Sequence, residues 1–239
     1  EQRNAYIGAT RDQVKELSNK FVALGADKET IGFSNSRLAY DEIISKFCFA
    51  VETHTLKKKI TSNDISFQYR QAVPFSDECI EIVDETLRKF MICVSEWKDF
   101  KFSFNKATIF SWFVYIRRNL DSETTDLQNT ISYMEFCRAY IKGKYKKVDD
   151  KYIKTFLSLQ KQVPFFEVML NTFNQRTSMG STDALSIIYR DIIITLFRDM
   201  LWNEESELLQ YTMGTFAEVE NFNYTLEKIV EKYNWGENF

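Results

Sequence analysis

Residues 105–120 read NKATIFSWFVYIRRNL, and this stretch decides the fold class. Ile109, Phe110, Trp112, Phe113, Tyr115 and Ile116 are spread over most sides of a 3.6-residue period instead of one stripe. A helix that is apolar nearly all round belongs at the centre of its bundle. The rest of the chain therefore has to supply helices that surround it.

The flanking sequence does so. On the N-terminal side, residues 77–97 carry Ile80, Val83, Leu87, Met91 and Val94 on one face. Before that, Val14, Leu17, Phe21 and Leu24 recur at helical spacing, with Thr10 as a candidate cap and Gly25 as a candidate stop. Ser34, Asn35 and Ser36 open a further helix that buries Ile43, Ile44, Phe47 and Val51 and ends near Thr53. Lys57, Lys58 and Lys59 make a basic loop. Residues 61–64 start another helix, through Ile65 and Tyr69 up to Pro74.

On the C-terminal side, helices are expected over residues 126–142 and 149–162, and a further piece over 165–173. Ser181, Thr182 and Asp183 precede a strongly apolar helix that reaches Trp202. An amphipathic pattern over residues 208–233 completes the chain. Only residues 100–104 alternate, and five residues do not define a strand. The expectation is an all-α, irregular bundle of eight to ten helices. It forms one domain over residues 1–239, with a division into 1–75 and 76–239 as the variant.

Composition agrees. Seven Gly and two Pro in 239 residues leave few interruptions for turn-rich β architecture. With 21 Phe, 12 Tyr and 4 Trp, the core should be thick and aromatic. No apolar run reaches the roughly 18 residues that span a bilayer, so a cytoplasmic chain with no membrane partner is expected. Cys48, Cys79, Cys93 and Cys137 are widely spaced, without a C-x-x-C pair, and read as buried reduced thiols.

Catalytic patterns are scarce. His54 is the only histidine and has no second ligand at metal-binding spacing. Cys–His catalysis would have to use it, and the sequence nominates no Cys partner. The glycines make neither a phosphate loop nor a nucleophile elbow. Asp149 and Asp150 stand where a helix should begin, which suits the positive end of its dipole. Asp121 and Glu123 are a second, looser carboxylate pair. No catalytic residue, metal ligand or cofactor is assigned to this chain.

Two features remain. Arg138, Lys142, Lys144, Lys146, Lys147, Lys151 and Lys154 form the densest basic stretch, interleaved with Tyr140, Tyr145 and Tyr152. Lysines on phosphates with tyrosines under bases would suit nucleic acid. The net charge of −3 argues against a global pull on polyanions. Arg190 lies inside the most apolar helix, where a charge must be paired or reach water. A structural ion pair is the expectation, with a role at an interface with sequence outside this chain as the sharper option.

The opening Glu1-Gln2-Arg3-Asn4-Ala5, before a helix ending in Lys15-Glu16-Leu17, resembles the E-x-R-N-A junction of the GmrSD-type restriction and phage-defence family. Residues 32–38 with Asp41 and Glu42 are similar to that family's "R…E" helix start. Lys58-Lys59-Ile60-Thr61 with Tyr69 resembles the stretch that follows, and residues 181–196 with Arg190 the late helix. The signal concentrates in the first 70 residues.

The resemblance implies a non-catalytic helical domain that scaffolds a preceding ParB/sulfiredoxin-like nucleotidase half. Glu1, Arg3 and Asn4 would lie at the nucleotide-side junction. Nucleotide and magnesium would belong to that other half, and the parent protein would be an NTP-dependent endonuclease. DNA and a second copy of the chain are further candidate partners. A stand-alone helical adaptor for protein partners is the alternative.

Overall fold

The structure, a computed structural model, describes residues 8–71, 73–95, 97–145, 149–179 and 183–239. Among them twelve α-helices form: α1 (Ala9–Ala23), α2 (Lys28–Ile31), α3 (Ala39–Glu52), α4 (Ser62–Gln71), α5 (Asp77–Ser95), α6 (Lys106–Arg118), α7 (Thr124–Tyr140), α8 (Asp150–Gln162), α9 (Phe166–Ser178), α10 (Ala184–Leu201), α11 (Glu207–Val219) and α12 (Phe222–Tyr233). No strand forms among the described residues, and only isolated bridges involve Thr55, Trp235 and Glu237. The chain is all-α.

Helix α6 lies at the centre. Every residue from 107 to 116 is buried. The Asn105 side chain starts the helix by accepting from the Thr108 N–H at 2.9 Å. Phe113 alone meets rings from three other helices: Phe21 of α1, Phe47 of α3 and Phe90 of α5, with centroids 5.3–5.9 Å away. Such tilted and edge-on pairs add to the area each ring buries. α5, α3, α10 and α9 pack directly on α6, and α1 covers the seam between α3 and α5. One buried cluster runs from Val14 to Phe239.

The count exceeds eight to ten for two reasons. Asp27 caps the short α2 by accepting from the Thr30 N–H at 2.7 Å, and Gly32 closes it at φ 97°. The pattern over 208–233 is two helices. Glu220 adopts φ 49° and ends α11, and Asn221 starts α12 by accepting from the Tyr224 N–H at 3.1 Å. Neither Gly nor Pro marks that break.

Thr10 is not a cap. It lies inside α1, and its hydroxyl donates to the Val73 carbonyl at 2.6 Å, tying α1 to the chain after α4. Lys15-Glu16-Leu17 falls in mid-helix, since α1 continues to Ala23. Gly25 follows α1 at φ 100°, which only glycine holds without strain. Thr61 and Asp64 open α4 reciprocally: Asp64 accepts from the Thr61 N–H at 2.7 Å, and Thr61 Oγ1 accepts from the Asp64 N–H at 3.3 Å. The end of the chain is pinned to the end of α3, where the Phe239 N–H donates to the His54 carbonyl at 2.7 Å. Gly236 presses on α10 so closely that a Cβ there would sit 2.9 Å from Ile188.

Candidate functional site

Three arginines on neighbouring helices frame the polar interior: Arg138 on α7, Arg176 on α9 and Arg190 on α10. Arg138 is 8% exposed. Its Nε donates to Asn174 Oδ1 at 3.1 Å, its Nη1 donates to Glu135, and its guanidinium lies 4.3 Å from the Phe173 ring centre. Glu135 also accepts from the Trp112 indole N–H at 2.9 Å, so one carboxylate links α7 to the central helix. Arg138 Nη2 has no partner among the described residues.

This arginine forms the floor of a cavity of about 70 Å³, lined also by Ser103, Glu135, Lys142, Lys144, Tyr145 and Asn174. A cavity that size holds several waters or one small oxyanion. α7 positions the lysines by ending at Tyr140. Gly143, at φ 77°, turns the chain so that the Lys142 and Lys144 N–H groups both donate to the Ala139 carbonyl at 3.1 Å. Neither lysine ammonium pairs with a described carboxylate. Burial, then the charges of Arg138 and Lys144, hold the Lys142 ammonium below the usual lysine range. Three cations thus face one carboxylate that is already engaged.

The basic stretch divides in space. Arg138, Lys142 and Lys144 share the cavity. Lys151 pairs with Asp99 at 2.8 Å, and Lys154 is exposed on α8 outside the lining. Lys146 and Lys147 lie outside the described residues, as do Glu1, Arg3 and Asn4. The tyrosines are not a base-stacking platform. Tyr152 is fully buried and donates to Asp99 at 2.6 Å. Tyr140 stacks on Phe136 at 5.3 Å, and Tyr145 packs on Phe100 at 5.0 Å and donates to the Lys101 carbonyl at 2.6 Å. Helical spacing turned Tyr140 and Tyr152 inward, and the turn after α7 does the same for Tyr145, against the Phe100, Phe136 and Phe156 cluster.

Arg190 departs from the expected ion pair. It is completely buried, with Nε donating to Ser111 Oγ at 2.7 Å and Nη1 to the Arg176 carbonyl at 2.8 Å. No described carboxylate lies in salt-bridge range, and Nη2 has no described partner. Burial, reinforced by Arg138, pushes its guanidinium down to about 9, still charged at neutral pH. The next residue on α10, Asp191, does make the ion pair, accepting from Arg118 Nε at 2.9 Å and from the Trp235 indole at 2.7 Å. Burial raises its carboxyl.

The other candidates are internally occupied. His54 ends up exposed in the turn after α3, at φ 51°, and borders a cavity of about 80 Å³ with Cys79, Glu52 and Ser76. That neighbour was invisible in the sequence, because it comes from α5. Cys79 is buried and donates to the Cys48 carbonyl at 3.4 Å, while Glu52 accepts from Ser76 Oγ at 2.8 Å. Neither engages the His54 ring. All four cysteines are buried, and none is in a disulfide. Asp149 caps α8, accepting from the Lys151 N–H at 2.9 Å. A cavity of about 250 Å³ beside Tyr115, Asp126 and Trp202 contains Arg198, whose charge is met by Asp199 at 2.9 Å and Glu204 at 2.5 Å. Among the described residues no group of three or more His, Cys, Asp or Glu is placed to hold a metal, and no helix is long and apolar enough to cross a membrane.

No family model matches this chain, and it matches no curated protein and no solved structure.

Proposed function

We propose that the chain is a non-catalytic helical domain that meets anionic phosphate at the Arg138–Lys142–Lys144 cavity. The observation that carries this is the charge surplus there: Arg138, Lys142 and Lys144 share the lining with one carboxylate, Glu135, whereas Arg198 in its cavity is met by both Asp199 and Glu204. In its finer form the reading is a GmrSD-like domain of a nucleotide-dependent DNA restriction or phage-defence protein. It would scaffold a nucleotidase half that precedes it, with Glu1, Arg3 and Asn4 at the junction. Support for that form is the ordered set of segments in the first 70 residues and the late segment around Arg190.

The decisive test of the finer form is the reading frame upstream of Glu1. A strand-rich segment with a D-G-Q-Q-R-like box is expected, and the longer chain should hydrolyse nucleotide. A start codon immediately before Glu1 would sink it. The alternative is a stand-alone adaptor for protein partners. It is favoured by Phe67, whose ring is 62% exposed on α4.

A further inference from the structure

We propose that the Arg138–Lys142–Lys144 cavity is a receptor for one terminal phosphate, a phosphomonoester group, and not a stop along a phosphodiester track. This rests on the phosphate-contact reading above and specifies its ligand.

Charge sets the stoichiometry. Three cations and one carboxylate leave a surplus of two. The C-terminal end of α7 points its dipole at the same place and takes back roughly half a charge. What remains matches the charge of about −1.5 to −2 on a phosphomonoester near neutral pH. A phosphodiester carries one.

Donor geometry points the same way. Asn174 Nδ2 is committed to the Arg138 carbonyl at 3.3 Å, and the Tyr145 hydroxyl to Lys101. The charged donors of the lining with no described carboxylate partner are Arg138 Nη2 and the two lysine ammoniums, and the Ser103 hydroxyl lies in the same lining. The two lysines flank Gly143 on the turn that ends α7, and Arg138 lies one helical turn before them. Charge-assisted bonds from such donors are about twice as strong as neutral ones. Arg138 is held rigid by Asn174, Glu135 and the Phe173 ring, so little is lost in ordering it.

A track would need continuation, and among the described residues of the basic stretch only Lys154 is left unpaired beyond the cavity. Lys151 is neutralised by Asp99. The tyrosines that would stack successive bases are turned into the core. The chain's net −3 gives no field to hold a long polyanion.

The test is calorimetric titration of the whole chain with three probes: inorganic phosphate, a short single-stranded oligonucleotide bearing a 5′-phosphate, and the same oligonucleotide with a 5′-hydroxyl. Phosphate and the 5′-phosphorylated strand should bind. The 5′-hydroxyl strand should bind at least tenfold more weakly. The double variant Lys142→Ala/Lys144→Ala, both surface positions, should lose at least tenfold for the first two probes. Its circular dichroism should match the parent's.

Equal binding of both strands, with a steep fall between 50 and 200 mM salt, would overturn the terminal-phosphate assignment and leave phosphate contact standing. Binding that the double variant does not weaken would move the site elsewhere and overturn the assignment. No binding of any probe would overturn this inference and the phosphate-contact reading together.

Discussion

Arg138 and Arg190 are both buried on adjacent helices, yet their surroundings differ in kind. Around Arg138 the fold has assembled a carboxylate, an amide oxygen, an aromatic face and an opening to solvent. Around Arg190 it offers a hydroxyl, a carbonyl and no described carboxylate. Arg138 and Arg176 also repel it electrostatically. The difference separates a charge that is used to bind from one that is used to lock helices. Arg190 joins α6 to the end of α9 by hydrogen bonds, and its charge is incidental to that role.

The largest expected effect tests the first half of the comparison. Arg138→Met removes the partner of Glu135 and leaves a largely buried carboxylate whose one remaining described hydrogen bond is to the Trp112 indole. Breaking a buried pair by deleting one member costs about 3–5 kcal/mol. Urea denaturation should show that loss with an unchanged slope. A loss below 1 kcal/mol would mean that Glu135 is well solvated without the arginine.

Arg190→Met should cost less, about 1–2 kcal/mol. It orphans the Arg176 carbonyl, which carries a penalty of about 1–3 kcal/mol. It also relieves a desolvated, unpaired cation, which offsets part of that penalty. The same denaturation experiment decides it. A loss equal to that of Arg138→Met would show that Arg190 has a strong anionic partner, and the contrast between the two arginines would collapse.

Asp183 links the contrast to pH. It caps α10, accepting from the Ser186 N–H at 2.9 Å, and its charge favours the charged form of Arg190. Its carboxyl is held below the usual range, chiefly by the Ser186 hydrogen bond. A lowered folded value means stability that is present above the unfolded pKa of about 4 and lost as pH falls through the folded one. Asp183→Ala should cost about 1 kcal/mol at pH 7, the usual worth of a cap. The difference from wild type should shrink below pH 4. A difference that stays constant from pH 7 to pH 3 would detach the effect from the carboxylate's charge.

How much of this was legible in the sequence follows from the kind of contact involved. Local periodicity and caps placed α5, α6, α8 and α10 within two or three residues, because those signals lie in the helix's own side chains. The break at Glu220 was not legible, since a left-handed glutamate leaves no compositional mark. The basic stretch was visible as a list of lysines. Its division was not, because Asp99, Asn174 and the inward turn of Tyr152 are set by packing between helices far apart in sequence. Arg190 stands out in the sequence as a charge in an apolar run. The partners it found, Ser111 and the Arg176 carbonyl, were beyond any spacing rule.

The smallest expected effect is the most informative about the cavity. Lys142→Ala removes an ammonium that pairs with no described carboxylate and sits beside Arg138 and Lys144. A surface change of this kind stays within about 0.5 kcal/mol, and relief of repulsion gives it a stabilising sign. Arg138→Met and Lys142→Ala therefore act on the same cavity with opposite signs. One removes a cation that the fold has neutralised, the other a cation that it has not. Thermal melts in buffers free of phosphate and sulfate should show Lys142→Ala at or slightly above the parent, and added phosphate should raise the parent's Tm more than the variant's. A variant clearly less stable than the parent in anion-free buffer would show that Lys142 is already neutralised within the fold, and the surplus that distinguishes this cavity would be gone.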